Sequence, residues 1–281
     1  MEKKILVKDN GNIVSILSNY GIGKNKVKSL VRYNNIYVNS KSINKLPFNV
    51  VIGDIIEITD RIKVDTNLNI VYEDDNYLIV NKECGLLTIS TSNLNKDKEN
   101  TLYKMVREYL NKKKELCFIV NRIDKETSGL VVFVKNVKLK EELQNNWNDI
   151  VLKRGYIAVV SGIINKDGRI ENNLYEDKMT FVHSSKYGKK AITNYKVIKS
   201  NNKYTMLDIN IETGRKNQIR VHMSEMGHPI VGDKKYKCVD NSLKRLCLHH
   251  YEIDFIDPIS KRKMVFKSEV PKSFYNLFNN Y

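Results

Sequence analysis

Cysteine is scarce: the 281 residues contain four, Cys84, Cys117, Cys238 and Cys247, and no two of them form a C-x-x-C pair. A chain of this length does not depend on disulfide staples, so the four read as reduced thiols and the compartment as cytoplasmic. No run of 18 apolar residues occurs, which excludes a spanning helix and with it a membrane partner. The opening MEKKILVKDN has no apolar stretch of the length a secretory signal needs. Also missing are G-x-x-x-x-G-K-[ST], G-x-G-x-x-G and H-E-x-x-H, so nothing points to a nucleotide cofactor or a zinc hydrolase. His222, His228, His249, His250, Cys238 and Cys247 crowd the last third without a zinc spacing, and no metal is expected. No internal repeat or low-complexity tract is present. Acid is in short supply as well: 32 Asp and Glu stand against 48 Lys and Arg, a net +16. Such a surplus needs an anionic partner, of which nucleic acid is the commonest. Apolar residues make up 41% of the chain, enough for a sizeable core, so disordered and collagen-like classes are out.

The first 60 residues read as a small unit. Ile13, Ile16, Leu17 and Tyr20 recur at helical spacing and stop at Gly21. Val27, Leu30 and Val31 mark a second short helix whose other face carries Lys24, Lys26, Lys28 and Arg32, either as a solvated face or as a binding one. Strands follow at 36–38 and 53–58, with a turn at 39–41. Polar residues 61–69 suit a linker, and a second unit spans 70–281. Its opening strands, 70–72 and 77–80, flank the turn-like 73–76, and Leu102, Met105, Val106, Tyr109 and Leu110 mark an amphipathic helix. Strand-like runs recur at 117–120, 130–134, 156–160, 192–197, 206–211 and 246–253, with helices near 137–148 and 215–226 and an exposed loop at 92–100. The strands come in neighbouring groups without β-α-β alternation, which predicts an α+β fold on a mostly antiparallel, mixed sheet.

Residues 121–129, NRIDKETSG, place a long polar stretch between two apolar strands where a simple hairpin needs only a few turn residues. Thr127, Ser128 and Gly129 can form a tight turn whose hydroxyls and amides orient a nearby carboxylate. Arg122 and Asp124 fall on one side of an extended backbone, as a functional acid–base pair or as a surface ion pair.

Two resemblances go further. Residues 12–60, through two helices, the IYVN of 36–39 and the VIGDIIEI of 51–58, resemble an S4 RNA-binding domain. That resemblance implies a small α/β unit whose Lys24, Lys26, Lys28 and Arg32 contact RNA phosphates. The run 121–136, NRIDKETSGLVVFVKN, resembles the signature of RluA-type pseudouridine synthases, and further stretches match in order: IVNK at 79–82 with Gly85 and Leu86, KRGYIA at 153–158, AITNY at 191–195, GRKNQIRVH at 214–222, GHPIVGD at 227–233 with Tyr236, and RLCLH at 245–249. This resemblance implies a catalytic domain that isomerises uridine to pseudouridine in ribosomal or transfer RNA without a cofactor; a monomer is the default expectation. It implies Asp124 as the catalytic aspartate, Tyr156 as the ring against the target base, and Arg220 as the cation that keeps Asp124 ionised. Arg122, Lys153, Arg154, Arg215, Gln218, His222 and Leu248 are then substrate contacts around a cleft sized for one everted pyrimidine. Asn121 and Asn217 stand where the family usually has His, and Lys237 where it usually has Gly. A non-catalytic RNA-binding or ribosome-assembly factor and a metal-dependent nuclease are the alternatives.

Overall fold

The computed structural model describes residues 3–32, 35–43, 45–58, 67–90 and 100–279. Most of the expected linker, nearly all of the expected loop at 92–100 and the side chain of Arg32 lie outside the described residues. The chain divides into two compact units, Met1–Asn67 with Asn111–Lys114, and Leu68–Leu110 with Glu115–Tyr281.

In the first unit, β1 (Lys3–Leu6) and β2 (Gly11–Asn12) precede α1 (Ile13–Asn19), which Asn12 caps by accepting from the Val14 amide. After Gly21, at φ +79°, α2 (Lys24–Arg32) buries Val27, Leu30 and Val31 and turns Lys24, Lys26 and Lys28 to solvent. β3 (Ile36–Val38) and β4 (Lys41–Ser42) form a hairpin through Asn39 and Ser40 at φ 49° and 65°, the two left-handed residues of a tight turn that matches strand twist. β5 (Asn49–Val50) pairs with β2, and β6 (Ile55–Ile58) lies inside a four-stranded sheet of order β1-β6-β3-β4. Ile13, Leu17, Val27, Ile36 and Ile56 centre a core private to this unit.

The second unit runs β7 (Ile70–Glu73), β8 (Tyr77–Lys82), α3 (Leu102–Lys112), β9 (Phe118–Ile119), β10 (Ser128–Val134), α4 (Val137–Asn145), α5 (Trp147–Ile150), β11 (Val151–Ser161), β12 (Gly168–Glu176), β13 (Val182–Ser184), β14 (Lys189–Ser200), β15 (Tyr204–Ile211), α6 (Gln218–Glu225), β16 (Leu248–Ile256), β17 (Lys263–Lys267) and α7 (Lys272–Asn276). The strands join in one 11-stranded sheet, ordered β13-β12-β14-β15-β11-β16-β10-β8-β7, with β17 on β16 and β9 on β10. Among the described residues β10 and β16 are its one parallel pair, so the expected α+β architecture on a mostly antiparallel mixed sheet is what the chain forms. All of β10 is buried. Leu130, Val132 and Val134 pack with Tyr77, Ile79, Phe255 and with Leu139 and Leu143 of α4.

The β10–β16 seam is two residues long, Ser128 beside His249 and Gly129 beside His250. Gly129 sits at φ +121°, and a Cβ there would lie 2.2 Å from the His250 carbonyl oxygen, so only glycine allows the strands this close. The seam fixes what precedes it, the polar loop 121–127.

Candidate active site

Loop 121–127 is held by side chains and not by turn geometry alone. The Asn121 side-chain oxygen accepts from the Val132 amide at 2.7 Å, extending the β9–β10 ladder by one residue. Thr88 donates to the Ile123 carbonyl at 2.6 Å, and the Gly85 amide to the Lys125 carbonyl at 2.9 Å. Beneath them the buried Lys82 ammonium donates to the carbonyls of Glu83, Leu86 and Lys125 at 2.9, 2.6 and 2.9 Å. Burial pulls the Lys82 pKa down to about 8. Lys82 therefore ties the turn after β8 to the residue next to Asp124, a role that its place beside a turn gave no sign of.

Asp124 faces a cleft of about 990 Å³, and its side chain keeps 26% exposure. That volume lies within the range of small-molecule pockets. Arg220, on α6, reaches Asp124 with Nη1 at 3.8 Å. Its closer partner is Asp233, bound through Nε at 2.7 Å and Nη2 at 2.8 Å. The backbone N–H of Asn217 donates to the Asp124 carboxylate; Asn217 itself is left-handed at φ 54°, just ahead of α6.

The electrostatics correct one expectation. Arg220 and the Asn217 amide do favour the charged carboxylate, but withdrawal from water outweighs them and Asp233 adds a like charge, so the Asp124 pKa is raised. Nor do the hydroxyls of the Thr127–Gly129 segment bond Asp124: Thr127 Oγ1 is buried without a hydrogen-bond partner among the described residues. Ser128 is already in β10, bonded to the His249 ring at 2.8 Å and to Arg245 at 2.6 Å.

Tyr156, on β11, is 7% exposed and lines the cleft beside Leu248, with its ring stacked on His250. Burial and the nearby Asp124 charge raise its pKa, keeping the phenol neutral. Arg122, Arg154, Arg215, Lys216 and Lys235 also line the cleft, and so give it a cationic wall. Arg154 donates to the Glu212 carbonyl, and Arg215 Nε to the Lys190 carbonyl at 2.9 Å.

Three expected substrate contacts have other partners. Lys153 points away from the cleft into an ion pair with Glu252 and a 3.2 Å bond to the Tyr251 hydroxyl, because alternate residues of a strand face opposite sides. His222 is fully buried, with Nε2 donating to the Asn172 side-chain oxygen at 2.8 Å and Nδ1 on the Thr193 hydroxyl at 2.9 Å. Burial pushes its pKa down to about 4, so it is a neutral core residue. Gln218 borders the cleft, but its amide is fully used: Nε2 donates to Ile192 and Thr193 and Oε1 accepts from Thr213 and Arg215. It pins α6 to β14. Lys216 precedes the helix, which starts only at Gln218, and pairs with Glu176.

All four cysteines are free thiols, and among the described residues no group of His, Cys, Asp and Glu is arranged to hold a metal. His249 is bonded through Ser128 and Ser268. Lys237 has φ 61°, the left-handed conformation that makes glycine usual there.

Residues 76–225 match the family model described as RNA pseudouridylate synthase. The chain is 29% identical to ribosomal large subunit pseudouridine synthase D of Haemophilus influenzae over 91% of its own length and 86% of that protein. To the enzyme of the same name from Borreliella burgdorferi it is 36% identical over 75% of this chain and 68% of the relative. The fold is shared with human RNA pseudouridylate synthase domain containing 4, at a TM-score of 0.58, 21% identity, and coverage of 74% of this chain and 90% of that one. The chain belongs to the RNA pseudouridylate synthase family, enzymes that isomerise uridine to pseudouridine within RNA.

Proposed function

We propose that this enzyme modifies uridines of large-subunit ribosomal RNA, with Asp124 as its catalytic carboxylate, Tyr156 as the ring on which the everted base rests and Arg220 as the cation beside Asp124. The observation that carries the reading is the convergence of these three side chains, from separate parts of the sequence, on one cleft with a cationic wall. The ribosomal substrate is supported by the relatives, which bear large-subunit names.

The isomerisation breaks the bond between uracil N1 and ribose C1′, turns the base, and joins C5 to C1′. The proton lost from C5 is balanced by the one gained at N1. Nothing is oxidised or reduced, so the chemistry needs no cofactor. Asp124 either attacks C1′ or assists a glycal intermediate, and both roles require the ionised form. The target base must leave its stack to reach Asp124, and stacking on Tyr156, worth about 1–3 kcal/mol, offsets part of that cost.

We read the first unit as the S4-like RNA-binding domain, with Lys24, Lys26 and Lys28 as phosphate contacts on the exposed face of α2. The whole acts as a monomer in the cytoplasm; no described helix is long and apolar enough to cross a membrane.

The test is release of tritium from ribosomal RNA labelled at uridine C5. Wild-type protein should release it, and Asp124→Asn should abolish release while RNA affinity stays within a few-fold. Binding without release by the wild type would favour a non-catalytic assembly factor, and shortened RNA would favour a nuclease.

A further inference from the structure

Arg220 is shared by two carboxylates, and the sharing is unequal. Asp233, fully buried, takes the Nε and Nη2 edge as a two-bond fork, while Asn217 Oδ1 accepts from Nη1 at 3.1 Å. Asp124 is left with Nη1 at 3.8 Å, an ion-pair distance without a hydrogen bond. We propose that Asp233 is a positioning residue for the isomerisation: it holds the Arg220 guanidinium edge-on, so that Asp124 meets only one of its nitrogens and is not locked into a fork of its own. The proposal rests on the reading of Asp124 as the catalytic carboxylate.

Asp233 is well placed to hold a fixed plane. The segment before it is zipped into the sheet, with the Val231 amide on the Val159 carbonyl and the Cys247 amide on the Val231 carbonyl, both at 2.9 Å. Asp233 Oδ1 also accepts from the Tyr236 amide at 3.1 Å, and the Tyr236 ring lies 5.3 Å from the guanidinium. Asn217 Nδ2 closes the cluster by donating to the Tyr236 hydroxyl at 3.2 Å. A single guanidinium cannot neutralise two carboxylates, and the drier one with two short bonds has the larger share.

The groups facing Asp124 divide accordingly. Arg220 and Lys82 favour its charge, Lys235 lies close enough to feel it, Tyr156 is a neutral phenol, and Asp233 opposes it together with burial. A carboxylate poorly stabilised in the ground state is the stronger nucleophile or base. Without Asp233 the guanidinium can turn its fork to Asp124, which stabilises the resting anion and slows the reaction.

The experiment uses the full-length protein and tritium release from a C5-labelled ribosomal RNA transcript, read as kcat, KM and the pH profile of kcat/KM. Asp233→Asn should move the acid limb down by about one pH unit, the shift expected when a like charge is removed and an opposite one is freed. It should lower kcat about tenfold with KM nearly unchanged. In an Arg220→Gln background the same change should alter the rate by less than about twofold, since residues acting through one partner do not add. That double variant removes the buried Arg220–Asp233 pair together, so it should fold even where Asp233→Asn alone weakens the fold. The proposal is overturned by an Asp233→Asn enzyme with the wild-type limb and kcat, or by an equal loss with and without Arg220. Undiminished release by Asp124→Asn in the same assay overturns the reading of Asp124 itself.

Discussion

The ring of Tyr156 lies face to face with the imidazole of His250, centroids 4.4 Å apart and planes 17° from parallel. The two residues are directly paired across β11 and β16. His250 Nδ1 donates to the Leu130 carbonyl at 2.7 Å, Nε2 is buried without a partner among the described residues, and burial pushes the pKa down to about 4. At working pH it is therefore a neutral plane that backs Tyr156. His250→Ala should leave a void behind that ring and lower kcat about tenfold, with RNA affinity retained. His250→Phe restores an aromatic plane and should recover most of the rate. Single-turnover kinetics check this, and an unimpaired alanine variant would show that Tyr156 needs no backing.

Asp124→Asn should gain thermal stability as it loses activity. A carboxyl whose pKa is raised by folding holds its proton more tightly folded than unfolded, so its ionisation costs stability as pH rises above the ordinary value of 3.8. A neutral amide removes that cost and still accepts from the Asn217 N–H. Melting curves at pH 7 should show a higher Tm for the variant, and the difference should shrink below pH 3.8. A variant that melts lower at pH 7 contradicts the raised pKa.

Three buried imidazoles make the fold sensitive to mild acid. Burial takes the pKa of His222 to about 4, of His249 to about 3 and of His250 to about 4, from an ordinary 6.5. The unfolded chain binds those protons below pH 6.5 and the folded chain only near 3–4, so their contribution is complete above 6.5 and is lost as pH falls through that window. Urea midpoints should decline steadily from pH 6.5 toward 4, and unfolding at pH 5 should take up protons. A flat midpoint across this range counts against neutral burial.

Replacing Lys24, Lys26 and Lys28 by Gln should reduce the slope of log affinity against log salt by about 2–3, the counterion release of three phosphate contacts. An unchanged slope moves the RNA contacts off α2.

Elements with a strong apolar period were legible: β7, β8, β10, β11, β14, β15, β16 and α3 fall where their patterns predict. β12, GRIENNLYE, was not, because most of its residues are polar and neither face reads as apolar. β17 is charged at both ends and hides in the same way. The sequence pattern begins α6 near residue 215, but the left-handed Asn217 breaks the helix between Lys216 and Gln218 and delays its start. The site was legible where residues came in an ordered run around Asp124. Lys153 and His222 lie off the cleft because of backbone periodicity: one step from Arg154 along a strand points Lys153 to the opposite face, and two steps from Arg220, about 200° round a helix, carry His222 to the far side. Asp233 and Lys82 act through backbone and buried bonds that a turn-like sequence does not display.

The two-residue contact of β10 with β16 separates the working parts into two leaves. Asp124 is anchored to the leaf of β10, β8 and β7, and Tyr156 to the leaf that begins at β16, with an apolar cluster reinforcing the narrow joint between them. Alignment of the proposed catalytic carboxylate with the proposed stacking ring is thus a question of mechanical stiffness. A torque applied by a bulky polynucleotide to either leaf concentrates at Gly129, and the gap between Asp124 and Tyr156 is the quantity it changes.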